Sequence, residues 1–190
     1  MINIGFTGHR PNKLYGYKRN KQWDNLREKI IELLANIAAN SNQPIKGIVG
    51  GALGFDTEAW YALNIAKRDL KALNVNVEIE MAIPFDEQDV KWPAESRNIF
   101  KECKEHSDYL TYVDTLDDYK VPNTAEGKYN PKKLFKRNEY IANNSDILIA
   151  CVRDMKSGSG HCIDYFKKVN PGKTLIIINP DTLEVTNEVV

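Results

Sequence analysis

Ile2-Asn3-Ile4-Gly5-Phe6-Thr7-Gly8-His9-Arg10-Pro11 opens the chain as a short apolar run that stops at a turn bounded by glycine and proline. Beyond it, Trp23, Leu26, Ile30, Leu33, Leu34 and Ile37 recur at spacings of three and four, which lays an apolar stripe along a helix over about residues 21–40. The unit of buried strand, glycine turn and amphipathic helix then returns. Residues 45–49 lead into Gly50-Gly51-Ala52-Leu53-Gly54-Phe55-Asp56, after which Ala59, Ala62, Leu63, Ala66 and Leu70 share one helical face. Residues 77–83 read as a third strand closed by Pro84, 94–106 as a helix, 109–113 as a fourth strand and 132–143 as a helix. A fifth strand at 147–152, the turn Ser157-Gly158-Ser159-Gly160-His161, a helix at 161–169 and a sixth strand at 174–178 complete the pattern. Alternation of this kind predicts an α/β fold: one Rossmann-like domain over residues 1–181, with a mostly parallel sheet flanked by helices on both faces. The pattern does not give the strand order. Residues 182–190 read as a C-terminal tail, and the stretch 116–130, rich in Asp, Pro, Asn, Gly and Lys, reads as a mobile loop.

Composition narrows the class. Lys plus Arg and Asp plus Glu balance at 26 each, so no overall field exists to hold a polyanion, and neither nucleic acid nor a membrane is expected as a partner. Cys103, Cys151 and Cys162 contain no C-x-x-C pair, which argues against a disulfide framework and a zinc site; no metal is expected. No apolar run approaches membrane-spanning length, and the first residues enter a strand without a basic leader, so the expectation is a cytoplasmic protein. Gly172-Lys173-Thr174 resembles the end of a P-loop, but Lys167 stands where that motif needs glycine and the segment precedes a strand. Gly158-Ser159-Gly160 lacks the third glycine of a dinucleotide fingerprint, because Ile163 occupies its place.

In a parallel sheet every strand-to-helix turn emerges at the carboxyl ends of the strands, so the three glycine turns are expected to converge on one crevice. Gly8, Gly50, Gly51, Gly54, Gly158 and Gly160 admit a ligand to the backbone, and the first N–H groups of the following helices favour an anion such as phosphate. Thr7, Ser157 and Ser159 add hydroxyls, and Arg10 adds a planar fork of donors suited to phosphate oxygens. His9 either contacts a base or phosphate or ties the turn together. Asp56 either accepts from a ribose diol or caps the second helix. Arg137 and Asn138 are a polar pair on an amphipathic helix, directed at the crevice or at solvent. Asp164 falls about one turn into its helix, where it either supports a cationic sugar transition state or is a solvated acid favoured by the helix dipole. Trp92-Pro93 offers a stacking wall for a base.

Taken together, Phe6-Thr7-Gly8-His9-Arg10-Pro11, Gly50-Gly51-Ala52-Leu53-Gly54-Phe55-Asp56 and the Arg137-Asn138 helix leading through Asp146 to a late glycine turn resemble the YpsA-like branch of the SLOG superfamily. The resemblance implies a Rossmann-like fold and binding of nucleotides or nucleotide-derived ligands, including signals derived from NAD. It also brings in the LOG enzymes, which split the N-glycosidic bond of nucleoside monophosphates with a P-G-G-x-G-T-x-x-E motif. Gly158, Gly160 and Asp164 can be laid on that motif, with Ser157, His161 and Asp164 standing where it has glycine, threonine and glutamate. The leading expectation is therefore a homodimeric sensor or sequestering protein for a ligand of the AMP, ADP-ribose or NAD kind, with no cofactor required. The alternatives are an N-glycosidic hydrolase or transferase, with Asp164 as catalytic acid and Arg10 as phosphate anchor, and a DprA-like DNA-handling module.

Overall fold

Seven strands join into one sheet in a computed structural model that describes residues 1–190. In chain order the main elements are β1 (Ile2–Gly8), α1 (Lys21–Ser41), β2 (Ile45–Val49), α2 (Phe55–Asp69), β3 (Val77–Ile83), α3 (Ala94–Glu105) and β4 (Tyr109–Tyr112). They are followed by α4 (Pro131–Asn143), β5 (Ile147–Cys151), α5 (Gly158–Val169), β6 (Thr174–Ile178) and β7 (Val185–Val189). Across the sheet the order is β4-β3-β2-β1-β5-β6-β7, parallel throughout except for β7. The chain builds outward from β1 to β4 on one side, then returns to lay β5 against the other side of β1. That reversal opens a crevice beyond the carboxyl ends of β1 and β5, where ligands bind in open α/β sheets.

Two apolar layers hold the helices. Leu26, Ile30 and Leu34 of α1 and Ala59, Ala62 and Leu63 of α2 close over Ile4, Phe6, Ile45 and Val49. On the opposite face Ile141 of α4 and Ile163 and Phe166 of α5 close over Ile48, Leu148 and Ala150. Each fully buried large aliphatic or aromatic side chain stabilises the fold by about 1.5–3 kcal/mol, so these two layers carry most of the driving force. Local chemistry fixes the helix starts: Asn20 accepts from the Gln22 N–H, and Asn130 from the Lys132 N–H with Pro131 at the first helical position.

Three expectations need correction. Residues 182–190 are not a tail: Val185–Val189 pair antiparallel with β6, and Lys167 bridges Glu188 at 2.7 Å. Apart from Val185, which is half-buried against the core, this edge strand is exposed, so it carries no alternation for a sequence reading to detect. The glycine turn at residues 158–160 is itself the first turn of α5, capped by Ser157, whose hydroxyl accepts from the Gly160 N–H at 3.1 Å. A Cβ on Gly160 would lie 1.9 Å from the Met155 carbonyl oxygen, so glycine there permits close packing of the preceding loop. Residues 116–130, finally, are pinned by the buried Lys133. Its ammonium meets Asp114 at 2.7 Å, the Ala125 carbonyl at 2.7 Å and the Lys128 carbonyl at 3.0 Å.

Candidate functional site

The end of β1, the turn after β2, one face of α4 and the start of α5 meet at the strand reversal and enclose a crevice of about 320 Å3. Gly8, His9 and Arg10 form one wall, Ala52 and Asp56 a second, and Leu134, Phe135, Arg137 and Asn138 a third. Gly158 and Ser159 close it.

Arg137 is the keystone. Its Nη1 donates to the Gly50 carbonyl at 2.5 Å and lies 3.4 Å from Asp56 Oδ2, while its Nε donates to Asn138 Oδ1 at 3.1 Å. Asn138 in turn donates from Nδ2 to the Gly158 carbonyl at 2.9 Å. Arg137 and Asn138 are each 7% exposed and Asp56 is 5% exposed, so the polar pair on α4 faces inward. Gly50 makes room for it: a Cβ there would lie 1.5 Å from Arg137 Nη1. Asp56 is not the cap of α2, a position held by Gly54; it is the second residue of the helix and accepts from the Ala52 N–H at 3.2 Å. Burial pushes the Asp56 carboxyl above the usual carboxylate range, against the pull of Arg137, the Ala52 N–H and Arg10. The same burial draws the Arg137 guanidinium down from its ordinary value.

Arg10 stands at the mouth. It is exposed, its guanidinium makes no hydrogen bond or ion pair within the chain, and its charge is felt at both Asp56 and Arg137. The crevice therefore sets two guanidiniums against one carboxylate. At the start of α5 the Ser157 hydroxyl takes the Gly160 N–H, which leaves the Gly158 and Ser159 N–H groups without an acceptor. His9 is buried, and its Nε2 lies 3.4 Å from the Asp154 N–H and 3.7 Å from the Asp154 carboxylate. Burial, aided by Lys13 and Arg153, lowers its pKa from 6.5 against the attraction of Asp154, so the ring stays neutral at pH 7. A surplus of positive charge with free backbone donors can hold a dianionic phosphate.

Not every expected residue lines this space. Thr7 lies buried beneath it, Gly50 contributes its carbonyl to Arg137, and Ser157 acts through its cap. Gly51 faces the apolar side against Met81 and Phe100, Gly54 lines a separate hollow with Arg19, Arg27 and Glu58, and Gly160 packs on Met155. Asp164 is exposed on α5 and does not line the crevice. The only carboxylate in the lining is Asp56. Leu134 and Phe135 are lining residues that sequence reasoning missed; their spacing, three before Arg137 for Leu134 and three before Asn138 for Phe135, is the signal that would have marked this α4 face. No group of three His, Cys, Asp or Glu side chains is arranged to hold a metal ion, and no helix is long and apolar enough to cross a membrane.

Comparison with known proteins agrees with this architecture. The family model for YpsA, described as the YspA SLOG family, matches residues 4–169. The SPbeta prophage-derived protein YoqJ of Bacillus subtilis is 33% identical over 156 residues, which span 82% of this chain and 88% of that protein. The UPF0398 protein BH1768 of Halalkalibacterium halodurans is 27% identical over 160 residues, covering 84% of this chain and 76% of that one. Among solved structures, DNA processing protein A (DprA) of Streptococcus pneumoniae superposes with a TM-score of 0.57 at 17% identity, over 94% of this chain but only 50% of that one. DprA of Helicobacter pylori, whose structure concerns a single-stranded DNA binding mode, gives 0.56 at 18% identity over 94% of this chain and 65% of its own. At such identity these two likenesses speak for the fold alone. With a match across nearly all of β1 to α5 and a relative one-third identical over most of its length, the chain belongs to the YpsA family of SLOG proteins.

Proposed function

We propose that the crevice binds the phosphate of a nucleotide or nucleotide-derived ligand, of the AMP, ADP-ribose or NAD kind, and that the protein acts as a sensor or sequestering protein for it. The observation that carries the reading is the charge arrangement: Arg10 without an internal partner, Arg137 sharing a single carboxylate, and two free N–H groups at the start of α5. In this reading Arg10 and the Gly158 and Ser159 amides contact phosphate oxygens, Arg137 and Asn138 hold the turns in place, and Asp56 lies within reach of ribose hydroxyls. Occupancy is passed on through a homodimer, the default assembly for a chain of this kind.

Thermal unfolding with AMP, ADP-ribose and NAD tests the proposal. A ligand at a hundredfold excess over its dissociation constant stabilises by about 2.7 kcal/mol, which for a domain of this size raises Tm by about 5–10 °C. No shift with any of the three overturns it. Two other readings are separated by parallel assays. Release of free base from nucleoside monophosphates would favour a glycosidic hydrolase, for which Asp56 and not Asp164 is the acid at hand. A gel shift with single-stranded DNA that weakens steeply with salt would favour a DNA-handling role.

A further inference from the structure

A second compartment adjoins the crevice at its mouth. It encloses about 320 Å3, and Arg10 and Leu134 line both spaces, so the two are neighbours that share one arginine and one leucine. Its character is different. Where the first crevice is polar and cationic, the second is walled by Phe85, Trp92 and Tyr129. Phe85 is buried and meets the Tyr129 ring edge-on, with centroids 5.6 Å apart at 90°. Trp92 is braced edge-on by Phe100 at 5.3 Å, so its plane is set by the core. Tyr129, by contrast, is 62% exposed, an aromatic ring left over the opening with Lys91 above it at 5.8 Å.

Gln88 is the uncharged polar residue of the lining. Its amide nitrogen donates to the carbonyls of Gly50 and Gly51, at 3.4 and 2.9 Å, which fixes which end of the amide faces which way. The amide oxygen is then a buried acceptor without a donor. At the rim Glu87 is neutralised by Lys128, so the compartment offers no surplus of charge beyond Lys91 and the shared Arg10. A space with aromatic walls and a side chain of neutral amide character fits a planar heteroaromatic group far better than a second phosphate.

We infer that this compartment is the nucleobase subsite, so that the ligand is a nucleoside phosphate spanning Arg10, with its phosphate among Gly8, Gly158 and Ser159 and its base against Trp92 and Tyr129. The inference rests on the phosphate reading of the crevice and adds to it the direction in which the ligand lies. The Arg10 guanidinium stands where the two spaces meet.

Isothermal titration with AMP and with ribose 5-phosphate tests it on the wild-type protein and on Tyr129→Ala, Val90→Trp and Arg10→Ala. Val90 lines the compartment and is 61% exposed, so a tryptophan there fills the space without entering the core. AMP is expected to bind about tenfold or more tighter than ribose 5-phosphate, the scale of base stacking on aromatic rings. That advantage should fall below about threefold in Tyr129→Ala and Val90→Trp, while ribose 5-phosphate binding stays within about twofold. Equal affinity for the two probes in the wild type, or an advantage that survives both compartment variants, overturns the subsite and leaves the phosphate reading standing. Absence of AMP binding overturns the subsite, and binding of both probes that Arg10→Ala leaves unchanged overturns the phosphate reading and the subsite with it.

Discussion

Replacing Arg137 by methionine removes a guanidinium but little volume, and the surroundings of that side chain set the cost. Arg137 and Asp56 have side chains 9% and 6% exposed at a separation of 3.4 Å, and Arg137 also supplies the 2.5 Å hydrogen bond to the Gly50 carbonyl. Without it a buried carboxylate keeps backbone donors such as the Ala52 N–H and the charge of Arg10 but no ion-pair partner, and breaking a buried pair from one side costs about 3–5 kcal/mol. In urea, with an m-value of about 2 kcal/mol per molar, the unfolding midpoint should fall by about 2 M. The pH dependence makes the expectation sharper. Burial already holds the Asp56 carboxyl above its ordinary value, so its contribution to stability is fully present below the unfolded pKa and is lost as pH rises through the folded one. Loss of the guanidinium lifts the folded value further, so the penalty of Arg137→Met should grow with pH and shrink on acidification. Adding Asp56→Asn should recover most of the loss. A penalty below about 1 kcal/mol, or one that stays constant between about pH 5 and 8, would refute the account of Arg137 as the buried counter-charge.

Arg10→Ala should behave oppositely, leaving stability within about 0.5 kcal/mol because Arg10 has no partner, yet weakening AMP binding about ten- to a hundredfold by titration calorimetry. Gly50→Ala should reproduce much of the Arg137→Met loss in urea, since its Cβ would lie 1.5 Å from Arg137 Nη1 and 2.7 Å from Asp56 Oδ2. His9 has a folded pKa below 6.5, so the unfolded chain binds more protons and stability falls as pH drops below that value; a Tm series between about pH 5 and 7.5 should be flatter for His9→Gln. Lys133→Met should release residues 116–130, seen as faster amide hydrogen exchange there than in β1 or β5, with a cost of about 3–5 kcal/mol from the stranded Asp114.

The fold was legible because its inner strands are buried on both sides and therefore concentrate apolar residues, unbroken at 147–151 and interrupted only by Lys46 and Gly47 at 45–49 and by Glu78 and Glu80 at 77–83. What escaped was structure held by remote partners. β7 has no apolar face of its own and is defined by hydrogen bonds to β6. The 116–130 stretch has loop composition, but remote partners fix it, the buried Lys133 of the following helix together with Asp114, which accepts from the Gly127 N–H, and Glu87, which pairs with Lys128. The crevice was partly readable: Gly8, His9, Arg10, Asp56, Arg137, Asn138, Gly158 and Ser159 line it. Asp164 was misplaced because a motif carries over spacing but not helix phase; starting α5 at Gly158 puts Asp164 on its outer side. Gln88 and Tyr129 could not be found from sequence, since neither belongs to a glycine turn or a periodic stripe.

Arg137 and Asn138 are neighbours on one helix, and between them they grip the carbonyl of Gly50 after β2 and the carbonyl of Gly158 after β5. Because β1 runs between those two strands, this pair acts as a cross-brace whose span sets the aperture before any guest arrives. A preset aperture spares the ordering cost of closing loops around a ligand, so affinity here comes from fit to a rigid frame, and a disturbance at one rim is carried mechanically to the other.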